Sequence, residues 1–158
     1  MTGLGDTTSE SKNTFPKLPV AAAVVALLGI ADSVYLTVHH YTATPVPCGA
    51  GFDCEMVLAS AYAEVAGIPL AAFGAVAYFA AFSLALLTAF GDHRMWKFFG
   101  IQTILMSAVS AWLIYVQYFY IHAWCQYCLL SAVSTFTLYL IYLISSFLKP
   151  RHTESTLV

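Results

Sequence analysis

The chain has 158 residues, of which 60% are hydrophobic and only 9% charged, with a formal net charge of −2. Soluble domains carry about 25% charged residues, so this balance, with a mean hydropathy of +0.77, excludes an ordinary soluble domain and indicates a membrane protein. The length suits one compact bundle, no basic run, Gly-rich phosphate loop or internal repeat is present, and no nucleic-acid partner is expected.

Residues 1–17 are polar and poor in large apolar side chains, and are expected to form a disordered tail. The stretch 18–38 invites a signal-peptide reading, because Asp32 interrupts it after 14 apolar-type residues, and signal cores run to about 7–15. It resumes as Ser33-Val-Tyr-Leu-Thr-Val38 and reaches spanning length, so it reads as an uncleaved anchor. Crossing the hydrocarbon core takes about 20 helical residues. The stretch 18–38 supplies 21, 68–90 and 98–120 supply 23 each, and 124–148 supplies 25. Backbone groups in lipid must be satisfied within their own segment, so all four should be helices. The expected fold is all-α, an integral membrane four-helix bundle over 18–148, followed by a second tail at 149–158.

The connections are unequal. Residues 39–67 form a long loop, 91–97 a short one, and 121–123 a tight hairpin. All six basic residues (Lys12, Lys17, Arg94, Lys97, Lys149 and Arg151) fall in the tails and the second connection, or beside them. By the positive-inside tendency both termini should be cytoplasmic, with loops one and three outside. In the long loop, Thr42-Ala-Thr-Pro-Val-Pro47 is stiff and turn-rich, while Gly49 and Gly51 loosen the segment around Cys48 and Cys54. A surface helix is expected over 55–66, ended by Gly67, with Pro69 in the first turn of the second span.

The four cysteines, Cys48, Cys54, Cys125 and Cys128, then all lie on the outer face, where thiols can cycle through disulfides. Cys125-Gln-Tyr-Cys128 opens the last span, and unpaired N–H groups and the helix dipole there favour a thiolate, the nucleophilic form. The Cys48/Cys54 pair could close on itself or exchange with the first pair through mixed disulfides. Read from the residues alone, three arrangements stay open: a redox relay, two structural disulfides, or a four-thiolate metal site, which the five-residue spacing suits less well.

Further motifs narrow the choice. Cys48-x5-Cys54, Ser60, Gly67-Ile-Pro-Leu-Ala-Ala-Phe-Gly74 with Tyr78, Cys125-x-x-Cys128, and upstream Asp32-Ser-x-Tyr-Leu-Thr-x-His39 occur in this order. Together they resemble the bacterial branch of the vitamin K epoxide reductase family over about 18–148. The resemblance implies four helices around a quinone, such as ubiquinone or menaquinone, and no metal. It implies that Cys128 is the thiolate that reduces quinone, with Cys125 as its disulfide partner. Cys54 would exchange with Cys125, Cys48 would meet an external protein, and Ser60 would sit near the quinone and the active thiolate. Phe73, Tyr78, Gln117 and Ile121, at the outer ends of the second and third spans, are the expected quinone-binding residues. As an alternative, Ser60 would bond only its own backbone.

The chain departs from the family in two places. Leu129-Leu-Ser-Ala132 follows the Cys-x-x-Cys where animal members have Thr-Tyr-Ala, and Leu70 stands where the family has a hydrogen-bonding Asn. Both favour quinone reduction over the alternative, vitamin K quinone or epoxide reduction with a thiol donor. A non-enzymatic metal-binding or structural membrane protein is the alternative from another class. Since many bacterial members carry a fused thioredoxin-like domain that does not appear by Val158, the expected partner is a separate secreted thioredoxin-fold protein of the DsbA type. Such oxidants lie near about −120 mV, which a respiratory quinone pool can accept from. The expected site is thus the outer face of a bacterial or archaeal cytoplasmic membrane. Asp32 within a span costs roughly 2.5–3.5 kcal/mol to insert, so it should face the bundle, either bonding another helix or relaying protons to quinone. His39, His40 and His122 read as interfacial, Tyr115, Tyr118, Phe119 and Tyr120 as an aromatic belt. Ala108, Ser110, Ala111, Ser131 and Ser134 read as helix-packing positions.

Overall fold

In a computed structural model, residues 17–92 and 94–148 are described. The expected tails therefore fall outside the described residues, apart from Lys17, which opens the first helix. Among the described residues four helices are long and apolar enough to cross a membrane. They are α1 (Lys17–Thr42), α3 (Leu70–Ala89), α4 (Met95–Val116) and α5 (Gln126–Leu148). A short helix α2 (Cys54–Leu58) and a hairpin of β1 (Glu64–Val65) and β2 (Ile68–Pro69) lie in the long loop. The chain is a predominantly helical, multi-pass membrane protein.

Helix α1 packs against α3 and α5, and α4 packs against the same two, so neighbours along the chain are neighbours around the bundle. The core along α1 and α3 is built from small residues: Ala22, Ala23, Ala26, Ala81 and Ala85 are all buried. Lipid tails are as apolar as leucine, so helices associate through close backbone approach and not by hiding large side chains. Large apolar residues accordingly face outward, among them Leu28, Val76, Phe79 and Phe147. Gly29 carries this logic to its limit, because a Cβ there would overlap the ring of Tyr78. The Tyr78 hydroxyl reaches across to α5, donating to the Ser131 carbonyl at 2.6 Å and lying 2.7 Å from Thr135 Oγ1.

Several boundaries differ from the sequence expectation. Helix α1 continues to Thr42, four residues past the expected end at 38, because nothing breaks it before Ala43 turns left-handed (φ 51°) and Pro45 follows. Its 26 residues rise about 39 Å, more than the hydrocarbon core, which leaves His39 and His40 in an emergent last turn. The surface helix expected over 55–66 ends at Leu58. The chain instead folds back as a hairpin in which Val65 faces Ile68. Its two turn residues, Ala66 (φ 53°) and Gly67 (φ 79°), both have the positive φ that a tight two-residue hairpin needs. Gly67 is therefore a hairpin residue and not a helix terminator. Pro69 precedes the first turn of α3 instead of lying in it. On α4, Ala108 and Ala111 face outward, and Thr103, Met106 and Ser107 are among the buried positions. The third span ends in a π-helical turn, Gln117–Ile121, and an irregular link over 122–125 leads into α5.

Candidate active site

Cys48 and Cys54 are joined as a disulfide with Cα atoms 6.1 Å apart, whereas Cys125 and Cys128 are thiols. The four sulfurs are thus arranged as one disulfide and one dithiol. Both pairs meet in one small cluster, in which Cys54, Val57, Ala123 and Cys125 are buried and Cys48 and Cys128 pack at the edge. Cys125 is completely buried and Cys54 nearly so (1% exposed).

The long loop is laid onto the start of α5 by polar contacts far apart in sequence. Gln126 Oε1 accepts the Gly49 N–H at 3.0 Å, and the Tyr127 hydroxyl donates to the Pro47 carbonyl at 3.1 Å. The Asp53 N–H donates to the Trp124 carbonyl at 3.0 Å, and Asp53 Oδ1 caps α2 by accepting from the Met56 N–H at 3.1 Å. These contacts hold Cys48 and Cys54 over the Cys-x-x-Cys, with no salt bridge to it among the described residues.

Cys125 occupies the residue just before α5, and the Cys128 N–H points at its Sγ at 3.4 Å. A thiolate there is stabilised as a side-chain cap would be, by an unpaired N–H and the positive end of the helix dipole. The Cys125 pKa lies below that of an ordinary thiol, chiefly because the Cys128 thiol hydrogen-bonds to it. The Cys125 N–H is bound in turn by Gln117 Oε1 at 3.1 Å. The π turn makes that contact. It widens the helix at Gln117, and His122 (φ 53°) then reverses the chain so that the two residues face each other. Such insertions often mark functional positions.

Beneath the loop, between the helices, is a cavity of about 520 Å³ whose lining is mostly apolar. Ligand pockets span about 300–1,000 Å³ and use a few polar groups to orient a largely apolar ligand, so this one suits a quinone headgroup with part of its tail. Cys128 lines it, and Cys125 does not. The five residues singled out beside the cysteines, Ser60, Phe73, Tyr78, Gln117 and Ile121, all line it as well. Their polar atoms are partly committed elsewhere. Ser60 Oγ donates to the Val57 carbonyl at 2.7 Å, the Tyr78 hydroxyl is bound to α5, and Gln117 Oε1 holds Cys125. Asp32 also lines the cavity, a placement that the sequence did not reveal beyond requiring that it face inward. Gln126 and Tyr127, which seat the loop, lay between two cysteines without any sequence signal of their own.

The family model of the vitamin K epoxide reductase family matches residues 20–143. The chain belongs to the vitamin K epoxide reductase family. Members are membrane oxidoreductases that act on thiols and use quinone as electron acceptor. The thiol chemistry and the apolar cavity of this family member lie against each other at Cys128.

Proposed function

We propose that this member of the vitamin K epoxide reductase family reoxidises the dithiol of a secreted thioredoxin-fold protein of the DsbA type and passes the electrons to membrane quinone. The observation that carries the reading is the division of labour between the two pairs. One cysteine of the Cys-x-x-Cys, Cys128, faces the cavity, while the other, Cys125, faces the loop disulfide. In the proposed cycle a partner dithiol reduces the Cys48–Cys54 disulfide through Cys48. Cys54 then exchanges with Cys125, which restores the loop disulfide and leaves Cys125 and Cys128 as thiols. That is the redox state the structure displays. Electrons leave through the Cys128 sulfur, and Cys125 gives up its proton as it closes the disulfide behind them. The sequence reading put the thiolate on Cys128, and the hydrogen bond from Cys128 favours Cys125 for that form.

The proposal is tested by adding reduced thioredoxin-fold protein and a soluble quinone to the purified chain and following quinone absorbance. Catalytic loss of the quinone band, dependent on the protein dithiol, is expected; its absence would exclude this activity.

The same reading places the cysteines on the outer face of a bacterial or archaeal cytoplasmic membrane and both termini inside. Its support is that the described bases, Lys17, Arg94 and Lys97, lie at the end of the bundle away from the cysteines. After mild reduction of intact cells, a membrane-impermeant maleimide is expected to label Cys48 and Cys54. A reporter fused after Val158 should read as cytoplasmic, and surface labelling of that reporter would invert the orientation.

A further inference from the structure

Asp32 is 8% exposed, and neither of its carboxylate oxygens has a hydrogen-bond partner among the described residues. The sequence allowed two uses for it, a hydrogen bond to another helix or a role in proton transfer. The first is not what the structure shows. A carboxyl group buried without partners is costly to hold charged, and the least costly state carries a proton. Its position adds the second half of the argument. Asp32 lines the same cavity as Cys128, within electrostatic reach of both Cys128 and Cys125.

Of the other phenol, imidazole and thiol groups on the cavity wall, Tyr62 lies at the exposed rim and the rest are committed. The Tyr78 hydroxyl donates to the Ser131 carbonyl at 2.6 Å. His40, at the outer end of α1, lies 3.3 Å from the Glu64 carboxylate. Cys128 is itself the electron donor. Asp32 is left as the unpartnered acid in an apolar chamber where a quinone oxygen must acquire a proton.

We propose that Asp32 is the proton donor to the bound quinone, relaying protons released by the Cys125/Cys128 pair. The inference rests on the quinone-reducing function proposed above. The chemistry balances within the site. The two thiols lose two electrons and two protons as the Cys125–Cys128 bond forms, and the quinone gains two electrons and two protons to become the hydroquinone. Asp32 gives its proton to one quinone oxygen as charge arrives there, and recovers a proton from the thiol pair. Charge is never left uncompensated in the bilayer. This accounts for an acid retained where a leucine would insert more favourably.

The test uses the purified full-length chain with a small dithiol and a soluble quinone. Asp32→Asn keeps the shape and removes the proton. It is expected to lower kcat for quinone reduction by about 100-fold, the lower end of the range for a lost general acid, with the quinone KM nearly unchanged. Asp32→Glu should retain much of the rate. Disulfide exchange between Cys48–Cys54 and a reduced protein partner, followed by thiol alkylation, should proceed at the wild-type rate in both variants. Wild-type kcat in Asp32→Asn, with an active wild type, would overturn the proposal alone. Equal slowing of quinone reduction and of exchange would also overturn it, by showing a structural role. A wild-type chain inert towards quinone would overturn the proposal together with the function on which it rests.

Discussion

Cys54→Ala is expected to abolish oxidation of a protein dithiol while leaving the chain able to reduce quinone with a small dithiol. The reason is access. Cys125 is fully buried beneath the loop, with Cys54 packed against it, so a folded partner cannot bring its own sulfur to Cys125. It must act through a sulfur that reaches both the outside and the interior, and Cys48 and Cys54 together provide that. Removing Cys54 breaks the disulfide and frees the loop, which opens Cys125 to a small reductant and gives a protein none. Cys48→Ala should show the same split. Cys128→Ser should abolish both activities, since its sulfur is the one on the cavity wall. The measurement is quinone absorbance with each donor in turn, and full activity of Cys54→Ala on the protein dithiol would rule out a relay through the loop.

The second large effect is expected at Gln117. As a quinone-binding residue only, it would alter the quinone KM and nothing else. Its Oε1, however, is occupied by the Cys125 N–H in a buried setting. Gln117→Ala leaves that N–H without a partner, at a cost of about 1–3 kcal/mol, or roughly 5- to 150-fold in an equilibrium or a rate. The loss should appear in kcat with either electron donor and in exchange between Cys54 and Cys125, because both depend on where Cys125 is held. The measurement is a kcat and KM comparison with each donor, joined to alkylation kinetics of the exchange step. A change confined to the quinone KM would return Gln117 to a binding role and remove it from positioning the thiols.

The arrangement of the cysteines bears on both experiments. With the loop disulfide closed and the Cys-x-x-Cys reduced, the electrons already sit beside the cavity. The Gln126 to Gly49 and Tyr127 to Pro47 contacts close the loop over the thiols. A mostly apolar chamber suits a step in which electrons and protons move together.

Four membrane helices and their approximate limits were legible in the sequence. Hydropathy and basic charge act segment by segment, since each span must satisfy its own backbone and insert on its own account. The cysteine spacing and its neighbours also revealed the family, and the residues expected around the quinone do converge on one cavity. The ends of the elements were less legible. Gly67 suits a helix terminus and a hairpin turn equally, and only the pairing of Val65 with Ile68 decides between them. Beyond that, the sequence could not say what each polar group does. Gln117 was a polar residue near the end of a span until a π turn brought its oxygen to Cys125. Gln126 reaches Gly49 across a separation of 77 residues. The absence of a partner for Asp32 is a property of every helix around it at once. Hydrogen bonds are short and directional, so the assignment of each donor and acceptor waits on the packing of the whole bundle.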